Sequence, residues 1–231
     1  MATQEKTKTQ TALVKADKKG RHPIGFLSFL RTCILPLYRL VRPFKIYGKY
    51  KPEPGACIFV GNHYTMTDPA YVLGATDDGI RFMSKKEVET TPVFGSVAKW
   101  VKCIFVNRDG NDVRALLDCF KVLKNGEKLA MYPEGTRNKT DEPMLPFKHG
   151  AAAMAIKTKT PVIPIVIYTK PKAFRRTHIL MGKPIEFSEY YGKKVTEEDY
   201  AEADEKLRQI MLDMKAEHTQ YLQNKKSKKK N

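Results

Sequence analysis

The sequence has one tryptophan, no Cys-x-x-Cys pair and no clean apolar run of spanning length. Its four cysteines, Cys33, Cys57, Cys103 and Cys119, are widely spaced, which excludes a disulfide framework and the common zinc and redox motifs. Cys57, Cys103 and Cys119 lie in apolar surroundings and read as reduced, buried thiols, which fits a cytosolic compartment. The first 23 residues are polar and contain no apolar core of a secretory signal. Neither a phosphate-cradling P-loop nor a dinucleotide glycine pattern occurs, so no resident cofactor is expected. Without a Gly-x-Ser-x-Gly elbow, a serine acyl-enzyme is not suggested. The histidines, at 22, 63, 149, 178 and 218, form no close cluster with cysteines or carboxylates, so no metal site is expected.

Acidic residues are scarce at the two ends, and this accounts for most of the net charge of +17. Residues 1–50 hold eleven Lys/Arg against two acids, and residues 225–231 hold five lysines. Basic ends favour a polyanion, either nucleic acid or an anionic membrane surface. Residues 51–224 are close to neutral, which speaks against nucleic acid as the partner.

At 231 residues the chain suffices for one well-buried domain with appendages. Residues 1–22 read as a disordered basic arm and 225–231 as a basic tail. Residues 23–44 are apolar but carry Arg31, Arg39 and Arg42, with Pro36 between them. A span needs about 20 predominantly apolar residues. The arginines and Pro36 fit an amphipathic helix lying in the interface better, with the basic flanks attracting anionic headgroups. A helix packed on the protein's own core is the other reading.

Residues 45–224 alternate strand and helix patterns. Strands are expected at Ala56–Val60, Ile80–Ser84, Ile104–Val106, Lys128–Tyr132, Val162–Tyr168 and Thr177–Met181. Helices are expected at Pro69–Gly74, Pro92–Val101, Asp112–Leu123, Gly150–Lys157 and Thr196–Gln223. The apolar face of Asp112–Leu123 reads as Val113, Leu116, Leu117, Phe120 and Leu123. This alternation defines an α/β fold: a single mixed, mostly parallel sheet flanked by helices, with the amphipathic segment at its N-terminal side. Pro164, inside an apolar strand, predicts an edge or a local break.

Polar residues gather where strands end, the usual place for sites in open α/β sheets. His63 follows the first of these strands, with Asp68 five residues on, and Asp68-Pro69 suits a helix start. A carboxylate on one imidazole nitrogen fixes the tautomer, so the other nitrogen can take a proton from a hydroxyl. The same pair also serves as an ordinary polar cap. Arg108 ends the stretch Phe105-Val106-Asn107-Arg108 and suits a phosphate. In Pro133-Glu134-Gly135-Thr136-Arg137, a rigid turn presents backbone donors beside Arg137, a plausible anion site, and Glu134 can orient a hydroxyl or anchor Arg137. Lys148 and His149 precede a helix, another reasonable place for an anion.

Taken in order, these stretches resemble the glycerophospholipid acyltransferase family, and within it the 1-acyl-sn-glycerol-3-phosphate (lysophosphatidic acid) acyltransferases. Asn62, His63 and Asp68 match an Asn-His-x4-Asp motif, Phe105 to Arg108 a second motif, Pro133 to Arg137 a third, and Ile163-Pro164-Ile165 a fourth. The resemblance covers about residues 45–185. Three positions depart from the pattern: Thr65 where a small residue is common, Lys102-Cys103 where a glycine is usual, and Asn107 where an acid precedes the arginine.

The resemblance implies a cytoplasmic-face, membrane-bound enzyme that is peripheral or monotopic. Its acceptor would be a lysophospholipid, and its donor acyl-CoA or acyl-carrier protein, used as a substrate. His63 and Asp68 would be catalytic. Arg108, Glu134, Gly135, Thr136 and Arg137 would bind the acceptor. Other acceptors, such as glycerol 3-phosphate, and a non-catalytic basic membrane- or polyanion-binding protein are the alternatives.

Overall fold

The computed structural model describes residues 24–48, 55–76, 79–107, 112–148 and 150–228. Its centre is a seven-stranded sheet in the order β1-β7-β6-β2-β5-β3-β4. The strands are β1 (Phe44–Tyr47), β2 (Ile58–Gly61), β3 (Ile80–Lys85), β4 (Ile104–Val106), β5 (Lys128–Met131), β6 (Val162–Ile167) and β7 (Thr177–Met181). Only the β6–β7 pairing is antiparallel. The expected mixed, mostly parallel α/β sheet is therefore present.

Both faces are covered, so the central strands are apolar throughout and alternate which layer they feed. Ile58, Val60, Leu129, Met131, Val162 and Val166 enter a core beneath α5 (Val113–Lys124), α6 (Ala151–Thr158) and α7 (Glu197–Ser227). Phe59, Ala130, Ile163, Ile165 and Ile167 enter the opposite core, with Leu27, Tyr71 and Val72. The helices on that side are α1 (Ile24–Phe29), α2 (Leu35–Val41), α3 (Pro69–Leu73) and α4 (Phe94–Trp100). A π-helical turn, Leu30–Ile34, joins α1 to α2. Among the described residues, no helix is long and apolar enough to cross a membrane.

One expectation is met in the second of its two forms, a local break, and another is corrected. Pro164 lies in β6, between β2 and β7, and not at an edge. It is tolerated because its rung lies just past the end of β7: Gly182 N–H donates to Pro164 O at 2.9 Å, the return bond is missing, and pairing resumes between Val162 and Ile185. The ring also requires glycine opposite, since a Cβ on Gly182 would lie 2.6 Å from Pro164 Cγ. On α5 the buried stripe is Ala115, Cys119, Val122 and Leu123, whereas Val113, Leu116 and Leu117 are exposed. Ala115 and Cys119 are small enough to bring the helix close to the sheet.

The long helix α7 starts in a capping box between Thr196 and Asp199. Its Asp204 carboxylate accepts from Ala152 N at 2.9 Å and Gly150 N at 3.3 Å. The α6 start, expected to suit an external anion, thus receives a carboxylate from within the fold. His149 lies outside the described residues. Further along α7, His218 Nε2 is 2.7 Å from His178 Nδ1 on β7, among the rings of Tyr47, Tyr168 and Tyr221. Burial holds both histidines below their usual pKa, helped by Arg176, Lys45 and Lys225 for His178 and by His178 itself for His218. All four cysteines are free thiols; Cys57 and Cys119 are buried and Cys33 is exposed.

Candidate active site

β6, β2 and β5 lie side by side and parallel, so their carboxyl ends open at one place in the middle of the sheet. Asn62, just past β2, fastens two of these ends together. Its Nδ2 donates to Ile167 O at 3.0 Å, and Ile167 N donates to its Oδ1 at 2.7 Å. His63 follows immediately and is held on every side. Its N–H donates to Glu134 Oε1 at 2.7 Å, and its carbonyl accepts from Asn138 N at 2.6 Å. Its ring stacks on Tyr132, with centroids 4.4 Å apart. Its Nδ1 lies 2.8 Å from Asp68 Oδ2.

The loop between them does fold back. Asp68 is the N-cap of α3 but makes no side-chain cap bond. Its carboxylate instead accepts from Tyr64 N at 2.6 Å and Thr65 N at 2.8 Å through Oδ2, and from Thr65 Oγ1 at 2.6 Å through Oδ1. The carboxylate has no solvent exposure, while the imidazole keeps 18% of its side-chain surface. The carboxylate engages Nδ1, so Nε2 is the ring nitrogen left for other chemistry.

Glu134, expected among the acceptor-binding residues, is 2% exposed. Its second oxygen accepts from Leu145 N at 2.8 Å, so both oxygens hold main-chain amides. Burial raises its pKa, opposed by those two amides and by His63. Its described bonds make it a clamp on the His63 backbone. They do not link it to Arg137.

Gly135 takes φ +66°, and a Cβ there would lie 2.8 Å from the Lys148 side chain. This glycine turns the chain so that Thr136 and Arg137 stand exposed beyond β5. Arg108 lies outside the described residues. Sequence reasoning missed Tyr132, Asn138 and Lys215. Lys215, on α7, donates to Pro143 O at 2.7 Å and lies 3.4 Å from Tyr64 Oη. Burial lowers its pKa, against the pull of Glu134. Tyr132 and Asn138 flank the turn and had a local signal; Lys215 is 151 residues from Tyr64 and had none.

The fold and the site define an α/β protein whose carboxylate–histidine pair sits at the carboxyl end of its central strands. The chain belongs to the acyltransferase family, whose family model matches residues 43–168, more than half its length. It is 30% identical over 150 residues to a 1-acyl-sn-glycerol-3-phosphate acyltransferase of Helicobacter pylori, covering 64% of this chain and 61% of that protein. It is 35% identical over 115 residues to a chloroplastic 1-acyl-sn-glycerol-3-phosphate acyltransferase of Brassica napus, covering 48% and 32% respectively. The chain thus spans less than two thirds of the length of these curated relatives. The crystal structure of the 1-acyl-sn-glycerophosphate acyltransferase of Thermotoga maritima shares the fold, with a TM-score of 0.64. That match has 22% identity and covers 89% of this chain and 87% of that one.

Proposed function

We propose that the protein transfers an acyl group from a thioester donor to the free hydroxyl of 1-acylglycerol 3-phosphate, giving phosphatidic acid. The observation that carries this reading is the His63 Nδ1–Asp68 Oδ2 contact at 2.8 Å, with the carboxylate buried and the ring partly exposed. The named activity of the relatives supports it.

In this mechanism Nε2 of His63 takes the proton of the acceptor hydroxyl. The oxygen attacks the thioester carbonyl of acyl-CoA or acyl-carrier protein. The tetrahedral intermediate collapses with cleavage of the C–S bond, and the imidazolium returns its proton to the departing thiolate. No covalent acyl-enzyme forms. Asp68 stabilises the imidazolium and keeps the ring in the productive tautomer. Arg137, the Thr136 hydroxyl and the amides around Gly135 hold the acceptor phosphate, with Arg108 as a second cation. Binding energy at the phosphate then places the hydroxyl for reaction.

The acceptor carries an acyl chain, so the reaction belongs at a bilayer surface. Phe29, Ile34, Leu37, Leu40 and Val41 of the N-terminal helices are exposed, and so are Val93 and Trp100 on the α4 side. Phe26 packs edge-on against Trp100 with centroids 5.0 Å apart, linking α1 to α4. Arg39, Lys99, Lys102, Arg175 and Arg176 are also exposed and supply charge for anionic headgroups. These residues support a peripheral seat on an anionic membrane surface, which we place on the cytoplasmic face.

Steady-state transfer to 1-acylglycerol 3-phosphate, compared with glycerol 3-phosphate and a phosphate-free lysolipid, tests the acceptor. Arg137→Ala raises the KM for the acceptor at least tenfold and leaves that for the donor unchanged. Equal effects on both substrates remove the phosphate role, and faster transfer to glycerol 3-phosphate overturns the acceptor assignment.

A further inference from the structure

The helix that presents Leu37 and Leu40 outward turns Tyr38 inward, towards the loop that carries Asp68. Tyr38 Oη is 3.0 Å from Thr67 Oγ1. Thr67 Oγ1 is 3.1 Å from Thr65 Oγ1, and Thr65 Oγ1 donates to Asp68 Oδ1 at 2.6 Å. From there the carboxylate reaches His63 Nδ1 at 2.8 Å. A line of hydroxyls therefore runs from the N-terminal helix to the imidazole.

Counting protons fixes the two ends of this line. Each hydroxyl has one proton to give. Thr65 gives its proton to Asp68, so in its contact with Thr67 it accepts. Thr67 has one proton, for Thr65 Oγ1 or for Tyr38 Oη. Tyr38 Oη donates to Tyr71 Oη at 3.2 Å, so it meets Thr67 as an acceptor.

A second contact shows that the helix grips the same element at its far end. Arg31 Nε, in the π-helical turn, donates to Leu73 O at 3.2 Å, at the last residue of α3. Asp68 is the residue that caps the start of α3. The N-terminal helices thus bracket α3, through Arg31 at its end and Tyr38 at its beginning. Tyr71, between these points, is fully buried and meets the rings of Tyr38 and Phe44 edge-on.

We propose that the Leu35–Val41 helix braces the catalytic pair and that Tyr38 is the positioning residue through which it acts. The brace fixes the 64–68 turn, and the turn fixes where the Asp68 carboxylate meets the imidazole. This inference rests on the reading of His63 as the base. It makes the seat of the apolar helix a determinant of turnover, in addition to any part it has in lipid contact.

The test compares Tyr38→Phe, Thr67→Val, Thr67→Ser and the Tyr38→Phe/Thr67→Val double variant in the full chain, with acyl-CoA and 1-acylglycerol 3-phosphate in mixed micelles. Rates are normalised to the folded fraction from thermal melts. Tyr38→Phe and Thr67→Val each lower kcat about three- to tenfold, the worth of one hydrogen bond, with both KM values within about twofold. The double variant is no slower than the slower single one, because a chain broken twice is broken once. Thr67→Ser keeps the hydroxyl and recovers the rate lost in Thr67→Val. Wild-type kcat in Tyr38→Phe and Thr67→Val, additive losses, or equal losses in Thr67→Ser and Thr67→Val each overturn the brace. His63→Ala is assayed alongside. Full turnover there removes the base assignment itself, whereas an inactive His63→Ala beside a fully active Tyr38→Phe removes only the brace.

Discussion

Glu134→Gln separates a clamp from a substrate ligand. In the native site both carboxylate oxygens accept main-chain N–H groups, from His63 at 2.7 Å and Leu145 at 2.8 Å, and the residue is 2% exposed. Glutamine has the same shape but one acceptor oxygen. Its NH2 must face one of the two amides, so a donor is set against a donor. One hydrogen bond to a charged acceptor, worth about 1.5–3 kcal/mol, is lost, and a buried N–H is left without a partner. Burial penalises the native charge, as the raised Glu134 pKa records, and glutamine removes that penalty. The net cost is about 1–3 kcal/mol, or about 2–4 °C in Tm for each kcal/mol in a chain of this size. The loosened His63 main chain also lowers kcat at least about tenfold, since a small misplacement of a reacting group is costly. Urea or thermal unfolding gives the stability, and initial rates over both substrate concentrations give the kinetic split. A variant of wild-type stability whose only defect is a raised acceptor KM would refute the clamp and restore Glu134 to the acceptor-binding set.

Two further outcomes follow from other parts of the fold. His178 and His218 both have depressed folded pKa values, so the folded state resists protons that the unfolded chain takes up near pH 6.5. Their contribution is complete above that pH and is lost as pH falls through the folded values. Tm should therefore fall more steeply between about pH 7.5 and about pH 5.5 in the wild type than in a His178→Gln/His218→Gln variant; parallel slopes would contradict the assignment. Leu37→Glu/Leu40→Glu places charge on the exposed helix face. It should abolish flotation of the protein with vesicles containing anionic lipid while leaving the melt unchanged, and undiminished flotation would sink the membrane seat.

Much of the fold was legible because strand ends in this chain are punctuated. Gly61 closes β2, Pro133 follows β5, and Asn125-Gly126 ends α5, so apolar runs between breakers read as strands and helices. β1 was not legible: Phe44–Tyr47 follows a helix, carries Lys45 and pairs only with β7, far along the chain. The α5 face was misread because larger apolar residues outweigh Ala115 and Cys119 in any hydrophobic pattern, although the small ones approach the sheet. The His63–Asp68 pair was readable from spacing and Gly135 from its turn. The contacts of Glu134 to His63 N and Leu145 N were not legible, because a sequence does not display bonds to backbone amides. Tyr38 and Lys215 were invisible for a related reason: each reaches the site from a helix remote in the chain, and only packing brings them there.

The central claim is that His63 is the base. Acyl transfer from acyl-CoA to 1-acylglycerol 3-phosphate by the wild type and by His63→Ala tests it most directly. His63→Ala should fold, bind both substrates and lose at least about a thousandfold in kcat, the scale expected for removal of a general base together with its proton return to the leaving group. Turnover in folded His63→Ala close to that of the wild type would contradict it.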